Sequence, residues 1–215
     1  MTFYSEFYRH ALLYLAAVKL EDIPLLEAQQ RAHDLCIAAL LGDNIYNFGE
    51  LLSHPIFQIL TGTSFGYLKD LVQAFNAGDH ALFDKLLSSV MQHPALRADE
   101  EKLRHKLCLM SLVETLFCQL KSSRIISLSA ISQATRVPED QVEFLLMRAL
   151  SLKLIRGSIH EPKHVFSIEW VQPRVLDMNQ IAELRSGIQL WRQRVLETSK
   201  LVQSLLPSHV ASLAN

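Results

Sequence analysis

The chain has 215 residues, of which 49% are hydrophobic and 20% are charged, so it can bury one large core or two small ones without disulfides. Its 21 lysines and arginines nearly balance 22 aspartates and glutamates, which argues against a surface that binds polyanions as a whole. The three cysteines lack a Cys-x-x-Cys spacing, and neither a signal peptide nor a long apolar run is present. We therefore predict reduced thiols in a protein that is neither secreted nor membrane-spanning.

The first half of the chain has a helical pattern. Between residues 3 and 92, apolar residues recur at spacings of three and four, which is the period of amphipathic helices. Helix-starting and helix-ending residues divide this stretch into short segments, at Pro24, Gly42, Pro55, Gly78 and Asp79. Short helices joined by short loops stack in antiparallel pairs, so we predict α-solenoid-like helical repeats over residues 1–98. Because the open face of such a stack needs a neighbour, we expect further repeats upstream.

A second pattern begins at residue 99. Acidic residues open a helix, and a short β-prone segment follows it. Ser127 is suited to cap the next helix, and Pro138 fits the first turn of the one after. Two extended segments, 154–159 and 164–171, then flank a plausible turn. This order of elements is that of a winged helix, which we predict for residues 99–175.

The extended segments of the winged helix are candidates for partner binding. Their β-prone side chains predict two edge strands, and an exposed edge invites pairing with a strand of a neighbour. A proline at residue 168 is then expected to weaken assembly while the helical half stays folded. The residues of this predicted surface are Ile155, Ile159, Phe166, Ile168 and Trp170.

Residues 176–215 carry the clearest periodic signal, a long helix with a heptad seam. The seam consists of Ile181, Leu184, Ile188, Trp191, Val195, Thr198, Val202 and Leu205. Further leucines lie off the seam and widen the apolar surface, so the helix needs more than one neighbour. This favours a helical bundle with other subunits, in which the apolar seam residues bind partners. The alternative is a helix that packs on its own domain.

No catalytic constellation is evident. The seven glycines form neither a Walker loop nor a Gly-x-Gly-x-x-Gly turn, and no Gly-x-Ser-x-Gly elbow occurs. His160 and His164 have a metal-like spacing, but they flank Pro162 in a predicted turn, where helical geometry is not available. We predict no enzyme activity, no cofactor and no metal. A site assembled from distant parts of the chain stays open at this point.

A winged helix raises the question of nucleic-acid binding. The second helix of the helix-turn-helix begins with Glu139, Asp140 and Glu143, whose carboxylates would repel phosphates. Only Arg148 and Lys153 oppose them. Protein contacts are therefore the favoured role of this module, and nucleic-acid binding is the less favoured alternative.

A helical stack followed by a winged helix resembles the PCI domain shared by subunits of the proteasome lid, the signalosome and translation-initiation complexes. A closer resemblance is carried by the segments 40–43, 47–52, 54–55, 74–76, 157–159 and 170–177. The most specific of them, 170–177, reads Trp-Val-Gln-Pro-Arg-Val-Leu-Asp. Together these segments most resemble a non-ATPase subunit of the proteasome regulatory particle, over its carboxyl-terminal portion.

The resemblance implies a non-catalytic scaffold of the regulatory particle lid, which acts in lid assembly for ubiquitin-dependent protein degradation in the cytoplasm and nucleus. It implies a hetero-oligomer in which the winged helix binds other PCI-domain lid subunits and the C-terminal helix joins a bundle. Neither nucleic acid nor membrane is expected as a partner. The alternatives are a PCI subunit of a signalosome or translation-initiation complex and, less favoured, a winged-helix nucleic-acid-binding protein.

Overall fold

The computed structural model describes residues 3–18, 23–120, 123–173 and 178–205, and these residues are mainly helical. The predicted fold class, helical repeats followed by a winged helix and a long C-terminal helix, is confirmed. The helices before the sheet are α1 (Phe3–Ala17), α2 (Leu25–Leu41), α3 (Gly49–Ser53), α4 (Ile56–Ile59), α5 (Gly66–Ala77), α6 (His80–Val90), α7 (Pro94–Ala98) and α8 (Glu100–Gln119). The remaining elements are β1 (Ile125–Ser127), α9 (Leu128–Thr135), α10 (Glu139–Ser151), β2 (Ile155–His160), β3 (Val165–Val171) and α11 (Met178–Leu205).

Helix α5 ends and helix α6 begins at residues that are typical helix caps. Gly78 follows α5 with a φ of 67°, a left-handed conformation that glycine adopts without strain. A Cβ at this position would lie 2.5 Å from the Cα atom of Ser111, so α8 also passes close to this turn. Asp79 then caps α6, because its carboxylate accepts hydrogen bonds from the amides of Ala81 and Leu82 at 2.8 and 3.2 Å. The predicted caps at Gly78 and Asp79 are confirmed.

Helix α8 contributes to two hydrophobic cores. Leu103 and Leu107 belong to a core formed with α1 to α7. Leu112 and Leu116, further along the same helix, belong to a second core formed with α9, α10 and the sheet. The helical repeats and the winged helix therefore meet on one helix rather than across a linker. The division of the chain between residues 98 and 99, just before α8, stays a prediction.

The small sheet has the strand order β1-β3-β2, and both pairings are antiparallel. Ser127 ends β1 and caps α9, its hydroxyl accepting a hydrogen bond from the amide of Ala130. Because β1 pairs with one side of β3 and β2 with the other, β3 is the central strand. The expectation that both hairpin strands are edges is therefore wrong for β3. The three-residue β1 covers the edge that the hairpin would otherwise expose.

The chain divides into two compact units, residues 1–174 and 175–215. Helix α11 is the described part of the second unit. Its 28 residues give a rod of about 42 Å at 1.5 Å per residue. The long helix predicted for the C-terminal segment is confirmed, whereas residues 174–177 of the most specific resembling segment lie outside the described residues.

Candidate interaction surfaces

The hairpin residues predicted to bind a partner divide into buried and accessible side chains. Ile155, Phe166 and Ile168 lie in the second core, and Ile168 is only 1% exposed. Ile159 is half-buried against the same core. Trp170 is 36% exposed, and the guanidinium of Arg156 lies 5.1 Å from the centre of its ring. A partner that approaches the sheet from outside meets Trp170 but not the three buried side chains, whose part in partner binding stays a prediction.

The free edge of the hairpin is β2. This strand pairs only with β3 within the described residues, and a bulge between Arg156 and Gly157 interrupts the register. A Cβ at Gly157 would collide with the carbonyl oxygen of Ser167 and the ring of Phe166, so β3 and its core residue approach this position closely. Within the described residues, one side of the main chain of β2 is therefore unpaired and open to strand pairing with a neighbour.

Helix α11 presents an apolar face to solvent. Trp191 at its middle is 67% exposed. Thr198, the polar member of the seam, donates a hydrogen bond from Oγ1 to the carbonyl oxygen of Arg194 at 2.8 Å, so its hydroxyl is satisfied within its own helix. The last seam residue is Leu205, whose side chain is not among the side chains that the structure describes. The exposed seam residues are Ile181, Leu184, Ile188, Trp191, Val195 and Val202.

Lys106 is a buried charged residue whose position the sequence pattern alone does not indicate. It lies on α8, and its Nζ atom donates hydrogen bonds to the carbonyl oxygens of Ala39, Leu40 and Gly42 at 2.8, 3.1 and 3.0 Å. These carbonyls belong to the end of α2, where a helix leaves its last acceptors unpaired. Burial lowers the pKa of Lys106 to about 7, and the carboxylate of Asp43 opposes this shift. The role of Lys106 is to join α8 to the helical repeats.

The described residues show little catalytic chemistry. They contain no group of three or more histidine, cysteine, aspartate or glutamate side chains placed to hold a metal ion. Burial raises the pKa of the Cys36 thiol to about 12 and also raises the pKa of Cys108, which disfavours the reactive thiolate. No described helix is both long and apolar enough to cross a bilayer. The exposed apolar side chains of α11 and the free edge of β2 are the candidate surfaces for protein contacts.

Helical repeats that share a helix with a winged helix define the class of the chain, and the family comparison agrees. Residues 83–170 match the family model "PCI domain", and residues 2–72 match the model "PSD13 N-terminal repeats". The chain belongs to the PCI-domain family. Within this family it is 42% identical over 200 residues to the "Probable 26S proteasome regulatory subunit rpn9" of Schizosaccharomyces pombe, a match that covers 93% of this chain and 52% of that protein.

A second relative has the same character. The chain is 41% identical over 203 residues to the "26S proteasome non-ATPase regulatory subunit 13" of Dictyostelium discoideum, covering 93% of this chain and 53% of that protein. The "Eukaryotic translation initiation factor 3 subunit M" of Coccidioides immitis is only 23% identical over 199 residues, covering 92% of this chain and 42% of that protein. The chain spans about half the length of the curated relatives it matches. Its similarity is thus greater to the proteasome subunits than to the translation factor.

Proposed function

We propose that the chain is a non-catalytic scaffold subunit of the proteasome regulatory particle lid and acts in lid assembly for ubiquitin-dependent protein degradation. The observation that carries this proposal is the exposed apolar face of α11, in a chain about 40% identical to proteasome regulatory subunits over nearly its whole length. Large apolar side chains that line one helix and face water are typical of an interaction surface. In a scaffold subunit, partner subunits cover such a surface.

The proposed partners follow from the two units. The winged helix binds other PCI-domain lid subunits through the edge of β2 and the exposed Trp170. Helix α11 joins a bundle with helices of further lid subunits through its seam. The assembly is a hetero-oligomer in the cytoplasm and nucleus, and neither nucleic acid nor a membrane is a partner.

The proposed scaffold role includes no reaction, cofactor or metal. The raised pKa values of Cys36 and Cys108 support this, because a buried thiol is a poor nucleophile at neutral pH. The acidic start of α10 supports the absence of a nucleic-acid partner, because Glu139 and Asp140 are exposed where a recognition helix would meet phosphates. Scaffolding requires neither kind of site.

Affinity purification of the tagged full-length protein from its own cells, followed by quantitative mass spectrometry, tests this function. A lid subunit is expected to recover proteasome ATPase and peptidase subunits in near-equal amounts with other lid subunits. Recovery of signalosome or translation-initiation subunits in their place would contradict the proposal. It would favour the alternative, a PCI subunit of one of those complexes, for which the weaker similarity to the translation factor is the supporting observation.

A further inference from the structure

A groove with a volume of about 600 Å³ lies between α8 and α10, next to the turn that joins α9 to α10. Leu109 of α8 and Leu145 of α10, both buried in the second core, line it, together with Val137 and Pro138 from the turn. Its volume is within the range of roughly 300 to 1,000 Å³ that is usual for ligand pockets in proteins. The groove is therefore large enough to accept apolar side chains of another molecule.

One side of α10 faces this groove. Gln141, Phe144, Leu145 and Arg148 all line it, as expected for residues spaced by three, four and seven on a helix. Phe144 is 71% exposed to solvent, although phenylalanine side chains are usually buried in folded proteins. Met147, the next exposed apolar residue along α10, is 58% exposed and extends the apolar surface beyond the groove. This combination is typical of a binding groove with an aromatic residue at its border.

The charges around the groove are basic. Arg136 donates a hydrogen bond to Asp84 at 2.9 Å, so that pair is close to neutral. Arg148 is exposed and forms no ion pair within the described residues. At about 100° per residue along a helix, Glu139 and Glu143 project from the side of α10 opposite Arg148. Arg148 therefore offers a positive charge at the groove without an ion-pair partner among the described residues, while Glu139 and Glu143 lie on the far side of the same helix and the exposed Asp140 lies outside the groove lining.

We propose that this groove binds a short acidic segment of a different lid subunit, which packs a large apolar side chain against Phe144 and places a carboxylate on Arg148. The occupant is chosen by charge: Arg148 lines the groove, where it attracts a carboxylate and repels a basic segment, whereas Glu139 and Glu143 repel a phosphate backbone. An arginine binds a carboxylate through two parallel hydrogen bonds, which fixes the orientation of the segment. This inference rests on the proposed function, because it assigns one of the contacts within the lid.

Photo-cross-linking in the assembled complex tests the proposal. The full-length protein carrying Phe144→p-benzoyl-phenylalanine is expressed in its own cells, purified in complex and irradiated, and the cross-linked peptide is sequenced. The same substitution at Gln133, which is exposed on α9 and does not line the groove, is the matched control. We expect position 144, and not position 133, to link to a segment of another lid subunit that is richer in aspartate and glutamate than in lysine and arginine.

Other cross-linking outcomes would overturn the proposal. They are no link from position 144 in an intact complex, a link to a second copy of this chain, a link to nucleic acid, and a link to a neutral or basic segment. If the chain enters no proteasome complex at all, the proposed function fails, and the groove assignment fails with it. If the chain enters the complex and position 144 gives no link, only the groove assignment fails.

Charge reversal gives a second test. Arg148→Glu is expected to weaken association with the cross-linked subunit at least several-fold, Arg148→Lys much less, and reversal of the facing carboxylate to lysine should restore it. Phe144→Asp should weaken association about tenfold or more, because an anchoring aromatic carries a large share of binding energy. Both side chains are exposed, so the melting temperature of the free protein should stay the same. Unchanged association of all these variants would contradict the groove assignment.

Discussion

Lys106 donates a hydrogen bond from Nζ to the carbonyl oxygen of Gly42 at 3.0 Å, across 64 residues of sequence. The same ammonium group also reaches Ala39 and Leu40, so its three N–H donors meet three carbonyls at the end of α2. The aromatic rings of Tyr46 and Phe48 lie 5.5 and 5.4 Å from Nζ and cover the charge. The side chain of Lys106 thus supplies donors to the carbonyl groups at the end of α2 and holds α8 against that end.

Lys106→Met is expected to lower the free energy of unfolding by about 2 to 4 kcal/mol. The substitution keeps the length of the side chain but leaves three carbonyls without their donor, and buried acceptors without a partner are costly. Chemical denaturation of the variant and the parent measures the difference. Lys85→Met, at an exposed position on α6, is the control and should change the stability little. Equal stability of the parent and the Lys106 variant would show that the three hydrogen bonds add nothing.

The stability of the protein is expected to rise with pH above about 7, because the pKa of Lys106 is lowered from 10.5 to about 7 in the folded protein. Between these two values the unfolded chain binds more protons than the folded chain, so removing protons favours folding. The difference in unfolding free energy between the parent and Lys106→Met should therefore grow from pH 7 to pH 10. Because the parent and the variant share all other titratable groups, the difference between their unfolding free energies isolates the titration of Lys106. A difference that is constant over this range would contradict the lowered pKa.

Ile168→Pro is expected to unfold the winged helix rather than to affect only a partner contact. Ile168 is buried, and its amide donates a hydrogen bond to the carbonyl oxygen of Arg124 at 2.7 Å, on the β1 side of the central strand. Proline removes this donor. Thermal melting should show that Ile168→Pro destabilises the free protein by more than Ile168→Ala, which keeps the amide and costs about 2 to 5 kcal/mol as a cavity. A normal melting temperature together with lost assembly would contradict this expectation and show that the substitution affects a partner contact.

The sequence predicted those features that depend on neighbouring residues. Asp79 and Ser127 cap helices because their side chains reach amides two or three residues away, which a local pattern reveals. The position of β3 depends on β1, a three-residue strand with a very short pattern of its own. Lys106 has one sequence signal, since it interrupts the apolar spacing of Leu103, Leu107 and Met110, but its carbonyl partners lie more than 60 residues away.

The candidate surfaces, too, could be predicted from the sequence only where they depend on neighbouring residues. The seam of α11 is a local period and was predictable, whereas the burial of Phe166 and Ile168 depends on which face of the sheet meets α8 and α10. Phe144 directly precedes the core residues Leu145 and Leu146, so a one-residue difference in register decides whether it is buried. The groove beside Phe144 requires α8 and α10 to be placed in space, which spacing along the chain does not provide.

The protein is expected not to bind duplex DNA specifically. Glu139 and Asp140 are exposed at the start of α10, where a recognition helix would approach the phosphates. Electrophoretic mobility at low salt measures this, with protein concentrations below about 1 μM, since non-specific binding is usually found near 10⁻⁴ to 10⁻⁶ M at physiological salt. A sequence-specific shift at submicromolar protein would favour the nucleic-acid alternative over the scaffold.

The most direct test of the scaffold role is the incorporation of α11 variants into the complex, measured together with their stability as free proteins. Trp191→Ala should cost about 2 kcal/mol or more of assembly free energy, and Ile188→Asp should cost more because it buries a charge in the bundle. The melting temperatures of the free variants should change little, and Gln193→Ala, away from the seam, should assemble normally. Normal incorporation of the two seam variants, with a large drop in their melting temperature, would contradict the account and favour a helix that packs on its own domain.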